Sequence, residues 1–138
     1  MKHLIWFAAL MAIAAVASAC GKMQSDVGGP VIHDITTSGK VLVISDCPAT
    51  SVTITAEITD ESKISQVLLW YRVNPDQRFD SIMMTKENDL YATEVKGADL
   101  QDNGYGAMEF YISAEDEWGN KTESPHDTSV QFLPCVSS

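Results

Sequence analysis

Carboxylate side chains concentrate in two short stretches of this sequence that have the composition of loops. One stretch contains Asp60 and Glu61, and the other contains Glu115, Asp116 and Glu117 followed by a Gly-Asn turn. Ca²⁺ is bound in proteins by carboxylate and carbonyl oxygens, so these five residues are a candidate calcium site if the fold brings the two loops together. Their spacing matches no known calcium loop, and the alternative is that these acidic residues are simply solvated.

A second candidate surface comes from residues that alternate along predicted strands. Leu68, Trp70 and Arg72 alternate with apolar neighbours predicted to face the core, and Tyr111 does the same on a later strand. Aromatic and arginine side chains are enriched at binding interfaces. Aromatic rings on a flat sheet face also suit sugar rings, so a carbohydrate-binding module is an alternative to a protein-binding one.

Other interpretations account for the same aromatic residues. Trp70 and Tyr111 could be a cross-strand pair that only stabilises the sheet. Trp70, rather than Tyr71, could also be the residue that faces the core. Trp118, at a predicted loop tip, is either a further contact residue or a loop side chain folded back onto the domain.

Catalysis has little support in the sequence. His126 lies within Ser124-Pro125-His126-Asp127, and His33 lies on a predicted edge strand. A hydrolase triad needs a base within reach of its nucleophile and a third group that orients the base, and nothing in the spacing predicts that convergence. No Cys/His spacing indicates zinc, and no glycine-rich loop indicates phosphate binding. The sequence therefore predicts a protein that is not an enzyme.

The elements that carry these residues are predicted to be short β-strands. Residues 51–59 alternate apolar and polar side chains with a period of two, which is typical of a half-buried strand. Turn-forming residues separate the predicted strands, which cover residues 31–35, 40–44, 51–59, 66–73, 79–85, 90–96, 107–114 and 129–133. Seven or eight short strands with this spacing predict an antiparallel β-sandwich.

Three stretches resemble bacterial immunoglobulin-like and fibronectin type III-like modules. Residues 58–62 and 64–73 resemble strands B and C of those modules, and residues 109–116 with Gly119-Asn120 resemble strand F and its turn. The resemblance covers most of residues 31–133. It implies an immunoglobulin-like sandwich of about seven strands over residues 30–138, with a binding, spacer or interaction role, although such modules carry many unrelated functions.

The resemblance also implies where the acidic loops lie. The loops after strands B and F meet at one pole of such a sandwich, so Asp60 and Glu61 would approach residues 115–117. Asp26, on the segment before the domain, is expected close by.

The N-terminal residues predict export. Lys2 precedes an apolar run from Leu4 to Val16, which is shorter than the roughly 20 residues of a membrane-spanning helix. Small residues then lead directly to Cys20, so residues 1–19 are predicted to be a cleaved signal peptide. Residues 17–20, Ala-Ser-Ala-Cys, resemble the lipobox of bacterial lipoproteins, with Ala17 standing where leucine is usual.

That second resemblance implies that Cys20 becomes the N-terminus and carries acyl chains such as palmitate. Gly21 follows it in place of the aspartate that commonly retains such proteins at the inner membrane, so a bacterium with two membranes would send the protein to the outer one. Because Ala-Ser-Ala also suits an ordinary signal peptidase, secretion of a soluble protein is the alternative.

The remaining cysteines are interpreted in the light of both resemblances. If Cys20 is acylated, Cys47 and Cys135 are left, and exported proteins seldom leave a thiol without a use. In an immunoglobulin-like sandwich the start of strand B and the end of strand G lie at the same pole, which implies a Cys47–Cys135 disulfide. Two free buried thiols are the alternative, which an oxidising compartment disfavours.

The overall composition agrees with an exported domain on a short linker. Residues 20–29 are mostly small and polar and are typical of a flexible tether. The formal charge is −10, and losing Lys2 with the leader makes it more negative, so binding to nucleic acid is disfavoured. The sequence predicts a lipoprotein anchored in the bacterial cell envelope, whose partner is another envelope protein or a glycan. No cofactor is predicted apart from the calcium candidate.

Overall fold

A computed structural model describes residues 26–44, 50–73, 75–103 and 105–134. Within these ranges the chain forms ten β-strands in two sheets and one short 3₁₀ helix. No helix in the described ranges has both the length and the hydrophobicity needed to cross a bilayer.

The smaller sheet has four strands in the spatial order β1-β3-β7-β6, and all of its pairs are antiparallel. Its strands are β1 (Val31–Thr37), β3 (Ser51–Thr59), β6 (Thr85–Glu87) and β7 (Leu90–Lys96).

The larger sheet has six strands, five of them in the order β2-β10-β8-β4-β5, while β9 forms a hairpin with β8. Its strands are β2 (Val41–Ile44), β4 (Ile64–Arg72), β5 (Asp80–Met83), β8 (Gly106–Asp116), β9 (Lys121–Glu123) and β10 (Asp127–Pro134). The pairing of β2 with β10 is parallel, so this sheet is mixed.

The prediction of an all-β sandwich is confirmed. In immunoglobulin-like sandwiches strands A, B, E and D form one sheet and strands C, F and G the other, and the observed orders follow this arrangement with β5 and β2 added at the two edges. Two details differ from the prediction: the described residues form ten strands rather than about seven, and one pair is parallel rather than antiparallel.

The core follows from side-chain alternation on the two facing sheets. The even-numbered residues from Val52 to Ile58 on β3 are at most 4% exposed, and those from Met108 to Ala114 on β8 are fully buried. Both sets match the predicted inward faces. Phe110 and Phe132 are the largest of the fully buried side chains and fill the space between the sheets.

One predicted strand, residues 79–85, is in fact two strands in different sheets. β5 pairs with β4 in the larger sheet, and β6 pairs with β7 in the smaller one. The crossover occurs at Met84, whose amide donates to the carbonyl of Val67 and whose side chain is buried in the core. A continuous run of strand-forming residues does not reveal a change of sheet, because both halves keep extended backbone.

A second break interrupts the last strand. β9 and β10 lie on the same side of β8, separated by Ser124, Pro125 and His126. The Ser124 hydroxyl accepts a hydrogen bond from the Ile112 amide at 2.9 Å and so replaces a ladder bond at the gap. Pro125 has no amide hydrogen to donate to a ladder, which explains why the strand breaks here.

The segment before β1 is held against the domain. Asp26 accepts a hydrogen bond from Ser62, its carbonyl accepts one from the Asn120 side chain at 3.1 Å, and Pro30 is buried. Gly29 lies so close to Thr122 that a Cβ would approach the hydroxyl oxygen to 2.8 Å. Of the tether predicted for residues 20–29, residues 26–29 therefore belong to the folded domain. Residues 20–25 lie outside the described residues.

Candidate binding face and acidic pole

The predicted aromatic pair forms on the outer face of the larger sheet. Trp70 on β4 and Tyr111 on β8 are directly opposed in the strand register, and their rings are nearly parallel with centroids 6.2 Å apart. The Trp70 indole N–H donates to the Ser113 hydroxyl at 2.9 Å, which fixes the orientation of the ring. Tyr71 packs toward the core, so Trp70 is the outward residue, as the alternation predicts.

His126 extends this row of rings from the other side. Its imidazole is parallel to the Tyr111 ring with centroids 4.7 Å apart. Because β4 and β10 flank β8 on opposite sides, Trp70 and His126 lie on opposite sides of Tyr111. Phe79 contacts Tyr111 edge-on at 5.2 Å and His126 at 5.7 Å.

A charged cluster adjoins the rings. Glu109 accepts from the Arg72 Nε at 2.6 Å through one oxygen and contacts the His126 Nδ1 at 2.6 Å through the other. The hydrogen bond with His126, followed by the one from Arg72, lowers the pKa of Glu109 below its usual value. The Arg72 guanidinium also lies 4.5 Å from the centre of the Phe79 ring. We call Trp70, Tyr111, His126, Phe79, Arg72 and Glu109 together the aromatic face.

The structure brings together only part of the predicted binding face. Trp70, Arg72 and Tyr111 are neighbours, and Leu68 lies on the same face of β4 opposite Ser113. Trp118 is not part of this group, because it lies beyond the end of β8 at the tip of the β8–β9 hairpin. It is 53% exposed, so it does not fold back onto the domain.

The predicted contact residues did not include Phe79, Glu109 and His126. The alternation that places Tyr111 on the outer face also predicts an outward Glu109. His126 was not, because its position depends on the strand break at Pro125 and on a register shift between Asp127 and Val130. Phe79 precedes β5, where the loop conformation, rather than alternation, decides its direction.

Part of the predicted calcium site comes together at the pole where β3 and β8 end. Ligand oxygens of Asp26, Asp60 and Asp116 all lie within 4.8 Å of one another. We call these three residues the acidic pole. Of the five carboxylates predicted to bind calcium, only Asp60 and Asp116 belong to it, and Asp26 joins them as expected.

The other three predicted carboxylates lie outside this group. Glu115 is a strand residue paired with Lys121 and Gln66. Glu117 is exposed, and its carboxylate accepts from the Lys63 amide at 3.4 Å. Glu61 is exposed on the loop after β3.

Asp116 is the structural centre of the acidic pole. It is only 1% exposed, and one of its oxygens accepts from the amides of Trp118 and Asn120, both at 2.8 Å. The other oxygen accepts from the Asn120 side chain at 2.7 Å. Burial alone raises the pKa of this carboxyl, but the hydrogen bonds from Asn120, Trp118 and Gly119 outweigh burial, and the pKa is lowered.

Asp60 is less well satisfied than its neighbours. Its Oδ2 is buried without a hydrogen-bond partner among the described residues, while its Oδ1 accepts a long bond of 3.4 Å from the Ser62 amide. Converging carboxylate oxygens are the donor set that a hard cation such as Ca²⁺ uses. The residues present therefore have the chemistry for a cation, although most of their oxygens are already occupied by protein donors.

The residues weighed for catalysis do not converge. Ser124 is buried, and its hydroxyl is engaged by the Ile112 amide and the Pro125 carbonyl. His126 contacts Glu109, and His33 contacts Thr59 at 2.7 Å on the other sheet. These contacts stabilise the backbone and the two sheets. They do not form a hydrogen-bonded chain from a base to a nucleophile.

The three cysteines lie outside the described residues. The nearest described neighbours are informative for Cys47 and Cys135, because Ile44 and Pro134 are register partners in the parallel β2–β10 pair. Cys135 directly follows Pro134, and Cys47 comes three residues after Ile44.

Comparison with known proteins gives matches among solved structures. No family model and no curated protein matches the sequence. Among solved structures, the chain is similar to one described as the Br derivative of BhCBM56, at 18% identity and a TM-score of 0.40, over 56% of this chain and 75% of that one. A TM-score this low carries no inference about a ligand.

Proposed function

We propose that this protein is an exported, membrane-anchored binding module that acts without catalysis and that recognises another envelope protein through its aromatic face. The observation that carries the proposal is the grouping of four aromatic rings with an arginine and a glutamate on one side of the larger sheet. Tryptophan, tyrosine and arginine are the residue types that most often dominate the energy of protein interfaces.

The ring geometry favours a protein partner over a sugar. A sugar stacks on the open face of an aromatic ring, but His126 and Trp70 flank the two faces of Tyr111. Tyr111, the central ring, therefore has a parallel ring on each side and is not open to a stacked sugar. The Arg72–Glu109 pair beside the rings suits the mixed apolar and charged contacts of a protein interface.

In this proposal the protein is anchored by acylated Cys20. A Cys47–Cys135 disulfide cross-links the domain at the pole opposite the acidic pole. The register of Ile44 with Pro134 supports the proposed disulfide, because β2 and β10, the strands that precede the two cysteines, lie side by side. Tyr111 lies five residues before the end of β8, so the aromatic face is about 17 Å from the acidic pole along that strand. The module would then hold the aromatic face away from the acidic pole, where the chain enters the domain.

Photocrosslinking in the living cell tests the proposal. A photoreactive phenylalanine analogue replaces Phe79, which keeps an aromatic ring in the face, and in a matched control it replaces Leu90, which is 43% exposed on the smaller sheet. We expect one discrete crosslinked envelope protein from position 79 and none from position 90, with the product lost in Arg72→Ala. Equal crosslinking at both positions, or none at either, would contradict the proposed face.

The carbohydrate alternative has its own outcome. Binding of the protein to a glycan array that disappears in both Trp70→Ala and Tyr111→Ala would replace the protein-partner proposal with a glycan-binding one. Circular dichroism must first show that both variants keep the β-sheet spectrum, because the Trp70–Tyr111 pair also stabilises the sheet.

A further inference from the structure

The tip of the β8–β9 hairpin displays a large aromatic side chain on a well-fixed loop. Trp118 is 53% exposed there, while Asp116 and Asn120 hold the backbone of the hairpin in place. Val27, on the segment that enters the domain, is 88% exposed. Exposure of single apolar side chains is common on protein surfaces, so the position of Trp118 relative to the entering chain carries the argument.

The entering chain reaches the domain at this same tip. The Asp26 carbonyl accepts from the Asn120 side chain, and Asn120 is two residues from Trp118. Asp26 comes six residues after Cys20. Fully extended, six residues span at most about 20–22 Å. An acyl chain on Cys20 would therefore hold the Trp118 tip close to the bilayer, whereas the far end of β8, eleven residues long, would lie about 34 Å further out.

We infer that Trp118 inserts into the interfacial layer of the membrane and seats the domain with its acidic pole toward the lipid. Tryptophan prefers the headgroup region of bilayers, where an apolar ring and a polar N–H are both satisfied. The inference rests on the proposed acylation of Cys20.

Charge defines the kind of lipid surface. Asp26, Asp60 and Glu117 lie around the tip. Anionic headgroups repel such carboxylates over roughly a Debye length of 8 Å at physiological ionic strength. A membrane surface of zwitterionic lipid therefore fits best, and anionic lipid should weaken the insertion of Trp118.

Tryptophan fluorescence provides the test, because Trp6 leaves with the signal peptide and only Trp70 and Trp118 remain. The full-length precursor is expressed in bacteria, and the mature Trp70→Phe protein is reconstituted into phosphatidylcholine vesicles that contain lipids brominated near the headgroup. We expect a blue-shifted emission and about a twofold or greater quenching, as for an interfacial indole. Replacing a third of the phosphatidylcholine by phosphatidylglycerol should reduce the quenching, and added salt should restore it.

The matched control is Trp118→Phe, which leaves Trp70 on the aromatic face and should show little quenching. If Trp70→Phe disturbs the β-sheet circular dichroism spectrum, the difference between the wild-type protein and Trp118→Phe gives the same information. An acylated protein whose Trp118 is neither shifted nor quenched overturns the inference and leaves the proposed function standing. A mature protein with no acyl mass in mass spectrometry overturns the inference and the proposed anchor together.

Discussion

At the scale of single residues, two carboxylates organise the two candidate sites in different ways. Glu109 joins Arg72 to His126 and so orients the charged half of the aromatic face. Asp116 collects donors from its own hairpin and fixes the loop that carries Trp118. Their types and approximate positions were readable from the sequence. The contact of Glu109 with His126 and the contacts of Asp116 within its hairpin were not, because they depend on loop geometry.

Both carboxylates have lowered pKa values, which sets the sign of a pH effect on stability. A carboxyl that is easier to ionise in the folded protein stabilises it above the unfolded pKa of about 4, and this contribution is lost as the pH falls through the lower, folded pKa. We expect the Tm to fall in acid, and Asp116→Asn to lower the Tm at neutral pH by several degrees while reducing its acid dependence.

Thermal unfolding followed by circular dichroism between pH 7 and pH 2 measures this effect. The matched control is Glu57→Gln, which replaces an exposed carboxylate on the smaller sheet. If plots of Tm against pH for Asp116→Asn and the wild type run parallel across the whole pH range, the lowered pKa of Asp116 makes no contribution to stability.

The calcium prediction also belongs to this scale. If Asp26, Asp60 and Asp116 hold Ca²⁺, added calcium stabilises the folded state by mass action, and the Tm rises by an amount that grows with the logarithm of calcium concentration. We expect Asp60→Asn to abolish that rise, since Asp60 supplies the oxygen that has no hydrogen-bond partner among the described residues.

Magnesium at equal ionic strength is the control for charge screening. A Tm that responds equally to both ions, or to neither, would show that the acidic pole is a solvated hydrogen-bond network and not a selective calcium site.

At the scale of elements, the junction between the two sheets at the far pole depends on one glycine. Gly97 begins the 3₁₀ helix Gly97–Asn103, which packs Leu100 into the core, and the Gly97 amide donates to the Thr50 carbonyl at 3.0 Å. A Cβ on Gly97 would lie 2.3 Å from the backbone oxygen of Val43 on β2. Only glycine allows β2 and the end of β7 to approach this closely.

Gly97→Ala is therefore expected to destabilise the domain by about 1–3 kcal/mol, because the backbone of β2 must move to admit the methyl group. Urea unfolding measures the change. Gly39→Ala is the matched control, since its Cβ would meet only a Val52 methyl at an ordinary 3.8 Å. Equal losses in the two variants would contradict the close approach at Gly97.

The strands themselves were largely predictable, and their interruptions were not. Residues 51–59 and 90–96 have the predicted boundaries, because alternation there coincides with one buried face. The crossover at Met84, the break at Pro125 and the 3₁₀ helix were missed, since each depends on contacts with distant strands. The same reason explains why half of the aromatic face was found: Trp70 and Tyr111 follow from alternation, whereas His126 does not.

At the scale of the whole molecule, the proposed disulfide is the main covalent constraint. A Cys47–Cys135 bridge closes a loop of 88 residues, which in the chain-entropy model contributes about 4 to 5 kcal/mol to stability. We expect Cys47→Ser to lower the free energy of unfolding under oxidising conditions, and reduction of the wild type to lower it by a similar amount.

Non-reducing mass spectrometry reports the bridge directly, as a peptide pair containing positions 47 and 135. Two alkylated thiols in the untreated protein, with equal stability before and after reduction, would instead establish the free-thiol alternative.

The parallel pairing of β2 with β10 has a mechanical consequence. Both strands run toward the far pole, while the chain enters at the acidic pole through Asp26. A pull on the Asp26 end against the far end of β10 acts along the strands, so the β2–β10 hydrogen bonds resist it in shear. They must rupture together rather than open one after another, as those of a hairpin pulled apart at its open end would. The domain should therefore withstand tension along its long axis.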